Sequence, residues 1–309
     1  IGNQNVVFDN ILANSKIPGL TDLADAVKER KALAAVNGGF YQANGRPLGL
    51  FIKNGEIVSE SIYGRASLAQ NAEGKFLIDR VSWKGKLKNK ENNKTLTIKN
   101  VNKRSDNGEI TIYNNSYGKK APLLDPEMTE FVIKDGKIVS KINSITIIKS
   151  EIPNNGYVIQ AKGKYDFSEF AVGDKVEFVN YFNKQEWNQS VIKTAVGGGP
   201  LLVADGEIKI TGKEGKFQND ILDGRAPRTA VGFTEDKKLV FFTVDGRQPE
   251  LSVGITLEEL AHFMKKYGIQ KGMNLDGGAS ARMVVRGFTM SNPSSKRLLS
   301  NGLIFYKIK

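Results

Sequence analysis

Asn274-Leu275-Asp276-Gly277-Gly278-Ala279-Ser280 sets a carboxylate and a hydroxyl around a glycine pair, directly after a stretch that reads as a helix and a short strand. Glycines at such a point let the backbone turn sharply and bring its N–H groups close to a ligand. Upstream, Thr256 and Glu259 have the spacing of a capping box, apolar residues recur at 257, 260, 261, 264 and 267, and Gly268 sits where a helix ends. Met273 and Leu275 then carry the short strand into the turn. Two other segments share this chemistry, Asn37-Gly38-Gly39-Phe40-Tyr41 and Gly197-Gly198-Gly199-Pro200. Three such turns in one chain point to a common small-molecule site.

The same order of helix, short strand and Asn/Asp-Gly-Gly turn occurs near the start, where a helix is expected over 20–31 and a strand over Leu33-Ala34-Ala35-Val36 before Asn37. A second echo aligns without gaps: Gly49 to Ile57 on Pro200 to Ile208, each ending in an Asn-Gly or Asp-Gly hairpin turn. Farther on, Arg65-Ala66-Ser67-Leu68-Ala69 matches Arg228-Thr229-Ala230-Val231-Gly232, each followed by a polar turn and another strand, Lys75 to Ile78 and Lys238 to Phe241. These echoes predict a core of two related halves.

Between the halves the texture changes to short β-branched runs joined by polar turns: Thr95 to Ile98, Ile110 to Tyr113, Phe131 to Val139 and Val176 to Val179, with Ile152 to Val158 entering a further strand. The expected architecture is therefore α+β. A twisted mixed β-sheet core from two related halves, residues 1–80 and 191–309, carries a few flanking helices, and residues 81–190 form an inserted small β-rich domain.

Composition narrows the function. There is no cysteine, which removes thiol nucleophiles, thiolate metal sites and disulfides together. The single histidine, His262, falls out of phase with the apolar stripe of its helix and reads as a solvated bystander, so a Ser-His-Asp triad or multi-His metal site has little to rest on. No apolar run is long enough to span a membrane; Leu239 to Val244 is strand-sized. The chain starts at Ile1 rather than Met and has no apolar signal segment, which suggests a processed chain whose targeting segment has been removed.

A net charge of +12 implies an anionic partner. Basic residues crowd at Lys84, Lys86, Lys88, Lys90, Lys94, Lys99, Lys103, Arg104, Lys119 and Lys120. Aromatic residues are sparse among them, which argues against a nucleic-acid stacking platform. Two readings stand: a solvated lysine-rich hairpin, or attraction to phosphate-bearing polymers at a cell surface.

The remaining reagents are carboxylates, arginines, hydroxyls and backbone amides. Asp245-Gly246-Arg247 follows the strand Leu239 to Val244, and Arg228 opens another strand after Ala226-Pro227. Guanidinium groups pair bidentately with phosphoryl oxygens, so these arginines beside glycine turns suit a phosphate-containing substrate. For Asp245 and Arg247 the alternative is a surface turn and a surface ion pair.

Asn37-Gly38-Gly39-Phe40, Gly198-Gly199-Pro200-Leu201, Arg228-Thr229-Ala230-Val231-Gly232, Asp245-Gly246-Arg247, the helix from Thr256 and Asn274 to Ser280 together resemble the ordered motifs of the phosphodiester glycosidase family. The segment from Arg297 to Asn301 resembles its closing element. The likeness covers roughly residues 30–80 and 190–309 and leaves 81–190 unaccounted for. It implies a hydrolase that cuts the sugar C1–O bond of a sugar-1-phosphodiester, of the N-acetylglucosamine-1-phosphodiester type, on a cell-envelope or exopolysaccharide glycopolymer. It also implies a secreted or envelope location. Asp276, Asp245, Arg228 and Arg247 become the catalytic candidates: Asp276 at the anomeric carbon, both arginines on the phosphate, Asp245 orienting an arginine or the water. Asn37, Gly38, Gly39, Gly198, Gly199, Thr229, Asn274, Gly277, Gly278, Ser280, Arg297 and Asn301 become the substrate-binding candidates. No cofactor is required, although a divalent cation is one option.

Two other classes compete. In one, Asp245 and Asp276 hold Mg²⁺ or Ca²⁺ and the P–O bond is cut. In the other, the protein is a non-catalytic module that grips anionic wall polymer through its basic insertion.

Overall fold

The computed structural model describes residues 6–104, 109–143, 148–163 and 165–307; Ile1 lies outside them. Five sheets and a few short helices make an α+β fold.

Two five-stranded sheets repeat one plan. The first-half sheet runs, in spatial order, Glu56–Ser59, Phe51–Lys53, Ile192–Gly197, Ala66–Asn71, Phe76–Arg80. In the second-half sheet the order is Glu207–Ile208, Leu201–Ala204, Ile269–Asn274, Arg228–Thr234, Leu239–Val244. Each is a hairpin, a central strand arriving from later in the chain, and a second hairpin, paired antiparallel throughout. The first hairpins close through Asn54-Gly55 and Asp205-Gly206, all four residues at positive φ as a type I′ turn requires. The echo read from Gly49 to Ile57 and Pro200 to Ile208 is thus the same hairpin built twice.

The echo of helix, strand and glycine turn resolves differently. Ala34–Asn37 belongs to a third sheet, ordered Val6–Leu12, Asn301–Lys307, Ala34–Asn37, Met283–Val285, Phe288–Thr289. The structural counterpart of Ile269–Asn274 is Ile192–Gly197, which follows the short helix Gln185–Gln189. Residues 81–190 therefore occupy the same connection, from last strand to central strand, that the second half fills with the helix Leu257–Lys266.

Side-chain alternation shows why both half-sheets are buried on two faces. Phe51, Val58, Leu68, Ile78 and Val196 point into a core shared with Leu201, Val231, Met273, Leu275 and the terminal strands. Their neighbours Ile52, Ile57, Ala69, Leu77 and Ala195 point the other way, into a core formed with Leu87, Ile112, Phe131, Ile159 and Trp187 of the 81–190 segment. On the second half the outer face, through Leu202, Ala230 and Phe242, packs on Leu257, Leu260, Ala261 and Met264. That helix carries the expected capping box between Thr256 and Glu259, and His262 is exposed on it.

The 81–190 segment contributes two sheets, one of Val176–Phe182, Trp83–Asn89 and Thr95–Ile98, the other of Lys137–Asn143, Met128–Lys134, Gly156–Lys162, Ile110–Tyr113 and Asn100–Val101. The pairing of Asn100–Val101 with Ile110–Tyr113 is parallel. The run expected from Phe131 to Val139 is two strands, because Asp135-Gly136 takes positive φ at both residues and turns the chain back. On Trp83–Asn89 the lysines 84, 86 and 88 alternate outward while Trp83, Leu87 and Asn89 are buried. Much of the basic crowd is locally balanced: Lys90 pairs with Glu177, Lys94 with Glu169, Lys99 with Glu109, Lys103 with Glu60, Arg104 with Asp125 and Lys120 with Glu151.

Candidate active site

Asp276 lies just past the central strand Ile269–Asn274, and its backbone is held on both sides by the first glycine turn. Its N–H donates to Gly38 O at 3.1 Å, and Asn37 Nδ2 donates to its carbonyl at 2.7 Å. The Asn37 Oδ1 in turn accepts Thr229 Oγ1 at 2.6 Å and the Arg282 N–H at 3.0 Å. One buried amide thereby fixes the acid against two strands from distant parts of the chain.

The Asp276 carboxylate accepts the Gly277 N–H at 2.9 Å and a bond from the buried Ser280. Burial pushes its pKa up to about 6; the Ser280 and Gly277 bonds and the charge of Arg297 oppose that rise without cancelling it.

Three guanidinium groups surround this acid in a cavity of about 280 Å³. Arg228 is buried and donates from Nη2 to the carbonyls of Ile221 at 3.0 Å and Gly224 at 2.6 Å, and from Nε to Ile255 O at 3.3 Å. Its pKa is lowered, by burial and then by the neighbouring charge of Arg247, with Asp220 opposing. A buried cation held by carbonyls and facing a second cation is a site short of negative charge. Arg247 holds a left-handed backbone, φ 58°, and lies across Gly278, where an added Cβ would come 3.1 Å from its Nη1. Arg297 donates from Nε to Tyr41 Oη at 2.7 Å and stacks on that ring at 5.3 Å; the Tyr41 bond, with the Tyr41 and Asp276 charges, raises its pKa against desolvation.

Asp276, Arg228, Arg247, Arg297, Asn274, Gly277 and Gly278 all line this cavity. The buried Asn274 donates its amide N–H groups to the carbonyls of Gly199 and Leu275, and its Oδ1 has no donor among the described residues.

The other candidates form the layer behind. Gly38 N donates to Asn301 O and Gly39 N to Asn301 Oδ1; Gly198 N donates to Ala66 O and Gly199 N to Asn274 O. These amides are spent on the fold and are not available to an anion. A Cβ on Gly39 would lie 1.8 Å from Gly197 O, so close backbone packing explains the glycine. Asn37, Thr229, Ser280 and Asn301 are buried and bonded within the protein, so they position rather than bind. Asp245 is a correction. Its two carboxylate oxygens accept the N–H and Nδ2 of Asn292 at 2.8 and 2.9 Å, outside the cavity. Among the described residues no hydrogen bond or ion pair joins it to an arginine, and it does not line the pocket that Asp276 lines. Among the described residues no three His, Cys, Asp or Glu come together.

Phe40, Tyr41 and Asp220 were not among the candidates. Phe40 and Asp220 line the cavity, and Tyr41 anchors Arg297. Phe40 and Tyr41 follow directly on Asn37-Gly38-Gly39, a signal that was there to use; Asp220 sits in the four-residue helix Asn219–Leu222, which has no motif.

The sequence profile of the phosphodiester glycosidase family matches residues 107–306. This chain belongs to the phosphodiester glycosidase family. The matched residues take in most of the 81–190 segment, which the motif series alone leaves out. A mouse N-acetylglucosamine-1-phosphodiester alpha-N-acetylglucosaminidase is 29% identical over 164 residues, 53% of this chain and 30% of that protein, so the chain spans under a third of its curated relative. Among solved structures, a hypothetical protein from Synechocystis superposes with a TM-score of 0.84 at 21% identity, covering 99% of this chain and 57% of that one. A Burkholderia pseudomallei K96243 protein described as exported gives 0.78 at 21% identity, covering 97% and 71%. The catalytic domain of zebrafish N-acetylglucosamine-1-phosphodiester alpha-N-acetylglucosaminidase, auto-inhibited by its pro-peptide, gives 0.52 at 20% identity, covering 98% and 73%. These likenesses share the fold. No helix among the described residues is long and apolar enough to cross a membrane.

Proposed function

We propose that this protein hydrolyses the C1–O bond of a sugar-1-phosphodiester, releasing free sugar and a phosphomonoester. The observation that carries the reading is the convergence of Arg228, Arg247 and Arg297 with the raised-pKa carboxylate of Asp276 in one small cavity. Arg228 and Arg247 hold the phosphate, which supplies the negative charge that the paired guanidiniums lack. Asp276 acts as a carboxylate at the anomeric carbon, either stabilising its oxocarbenium-like charge or activating water. Water forms the new bond to C1 while the C1–O bond to phosphate breaks, and the phosphate keeps the bridging oxygen. The leaving group is already a stable anion, so no acid of raised pKa has to protonate it. A substrate hydroxyl donating to Asn274 Oδ1 would relieve a buried acceptor that costs about 1–3 kcal/mol while unpaired.

An N-acetylglucosamine-1-phosphodiester is the first substrate to try, from the name of the mouse relative. The net charge of +12 and the exported Burkholderia protein support a phosphate-bearing envelope or exopolysaccharide polymer as its carrier, with the unpaired lysines of the 81–190 segment as one point of attraction, and an extracytoplasmic location. The same reading takes 1–80 and 191–309 as the catalytic core, since every cavity residue comes from it, and 81–190 as its insertion. Hydrolysis in H₂¹⁸O tests the reaction: label in the reducing sugar supports it, and label in phosphate, or release of sugar-1-phosphate, overturns it.

A further inference from the structure

A polar groove of about 830 Å³ lies apart from the Asp276 pocket, and it is lined by both halves and the 81–190 segment. On its floor Lys271 pairs with Asp79 at 2.8 Å, and Arg80 donates to the carbonyls of Gly64 at 3.0 Å and Glu214 at 3.2 Å. Lys184 and Lys209 reach the same groove with no ion-pair partner among the described residues. Four cations, Arg80, Lys184, Lys209 and Lys271, line the groove against three carboxylates, Asp79, Asp205 and Glu214, which leaves a positive balance that draws an anion.

A chain of packed side chains, running through the buried Phe217, connects the walls of this groove and of the catalytic cavity. Phe40, which lines the cavity, lies 5.7 Å from Phe217 ring to ring. Arg65 sits over Phe217 at 3.9 Å and 5.7 Å from the Tyr63 ring. Tyr63 lines the groove, is 53% exposed and holds φ 51°, a backbone region uncommon for a bulky residue. An exposed aromatic face offers stacking area to a sugar ring, and the lysines beyond it suit phosphates. The catalytic cavity has room for little more than one sugar and its phosphate, whereas the groove has the volume of several further units.

We propose that this groove binds the continuation of a phosphate-bearing glycan chain, so that the substrate is a polymer whose scissile unit enters the Asp276 pocket. The proposal rests on the reading of that pocket as a sugar-phosphodiester site. Two probes test it: a six-repeat oligomer of N-acetylglucosamine-1-phosphate and the single-repeat methyl phosphodiester, each titrated into Asp276→Asn protein. The oligomer is expected to bind at least ten times tighter than the single repeat, with the excess fading in high salt. Adding Lys184→Glu and Lys209→Glu should bring the ratio to within twofold of one; Lys184→Ala with Lys209→Ala repeats the test if charge reversal disturbs folding. Equal affinities for the two probes, or a ratio that survives either pair of substitutions, overturns the groove. Single-repeat turnover by the unaltered protein tests the pocket separately, so a failure of the groove is distinguishable from a failure of the pocket.

Discussion

The two half-sheets place different residues at one structural position. Val196 pairs with Leu68 as Met273 pairs with Val231, and Gly198 N donates to Ala66 O at 2.9 Å as Leu275 N donates to Thr229 O at 2.8 Å. By this register Gly199 stands in the first half where Asp276 stands in the second. Gly199 is at φ 100° and an added Cβ would come 3.1 Å from the Phe217 ring, so no side chain fits comfortably there. Arg65 likewise stands where Arg228 stands, yet it stacks on Phe217 whereas Arg228 faces the cavity. One half carries Asp276, Arg228 and Arg247 of the cavity, and the other supplies backbone packed closely behind them. The fold alone therefore does not make a site; side chains on one of its two copies do.

The sharpest way to break this comparison is Asp276→Asn. Removing the half-buried Asp276 carboxylate from the cavity should lower turnover of a sugar-1-phosphodiester by about 10³-fold or more, on the scale of lost transition-state stabilisation. Activity within tenfold of the unaltered protein would move the chemistry elsewhere.

Much of this was legible in the sequence for a physical reason. Hairpins announce themselves through Asn54-Gly55 and Asp205-Gly206, whose residue types the positive φ demands, and the helix from Thr256 through its cap. That Arg228, Arg247 and Asp276 share one cavity is foreshadowed by short polar motifs beside glycine turns, which are local signals. What escaped depends on contacts between remote segments. Nothing local says that the Asp245 carboxylate is taken by Asn292, or that the Gly38, Gly39 and Gly198 amides bond to Asn301 and Ala66 rather than to substrate. Nor could a strand, a helix and an Asn-Gly-Gly turn near the start disclose that their sheet is the third one, since sheet membership is a long-range property.

Gly39→Ala tests the packing role of the first half. The new Cβ meets the Gly197 carbonyl, which is backbone and cannot swing aside, so the native state should lose about 3 kcal/mol. Denaturant unfolding measures this directly. Activity should fall together with stability, in contrast to Asp276→Asn, and a midpoint equal to that of the unaltered protein would show that the turns are not tightly interlocked.

The raised pKa of Asp276 gives a smaller effect with a definite sign. Below about pH 4 the group is protonated in folded and unfolded chains alike and contributes nothing. Between about 4 and 6 the folded protein keeps a proton that the unfolded chain has lost, so stability falls as pH rises, and above about 6 the cost is constant. Asp276→Asn should then be more stable than the unaltered protein at pH 8, by roughly 3 kcal/mol, with the gap closing towards pH 4. In the catalytic arm, turnover should rise through pH 6 as the carboxylate forms. A stability difference that is the same at both pH values would mean that the carboxyl is not desolvated.

Arg65→Ala should show the least. Arg65 is half-buried, donates from Nε to Gly215 O at 2.9 Å and lies 3.9 Å over Phe217; a stacked cation of this kind contributes about 1 kcal/mol. It does not line the Asp276 cavity, so single-repeat turnover should stay within about threefold. Arg228→Ala, at the matching place in the other sheet, should cost about 100-fold in kcat/KM if it removes the proposed charge-assisted phosphate contact. The two substitutions remove the same group at matching register positions, Arg65 just before the strand Ala66–Asn71 and Arg228 at the start of Arg228–Thr234, so the ratio of their effects compares the two positions. Equal losses would mean that both half-sheets contribute to the chemistry, and the division of labour between Gly199 and Asp276 would no longer hold.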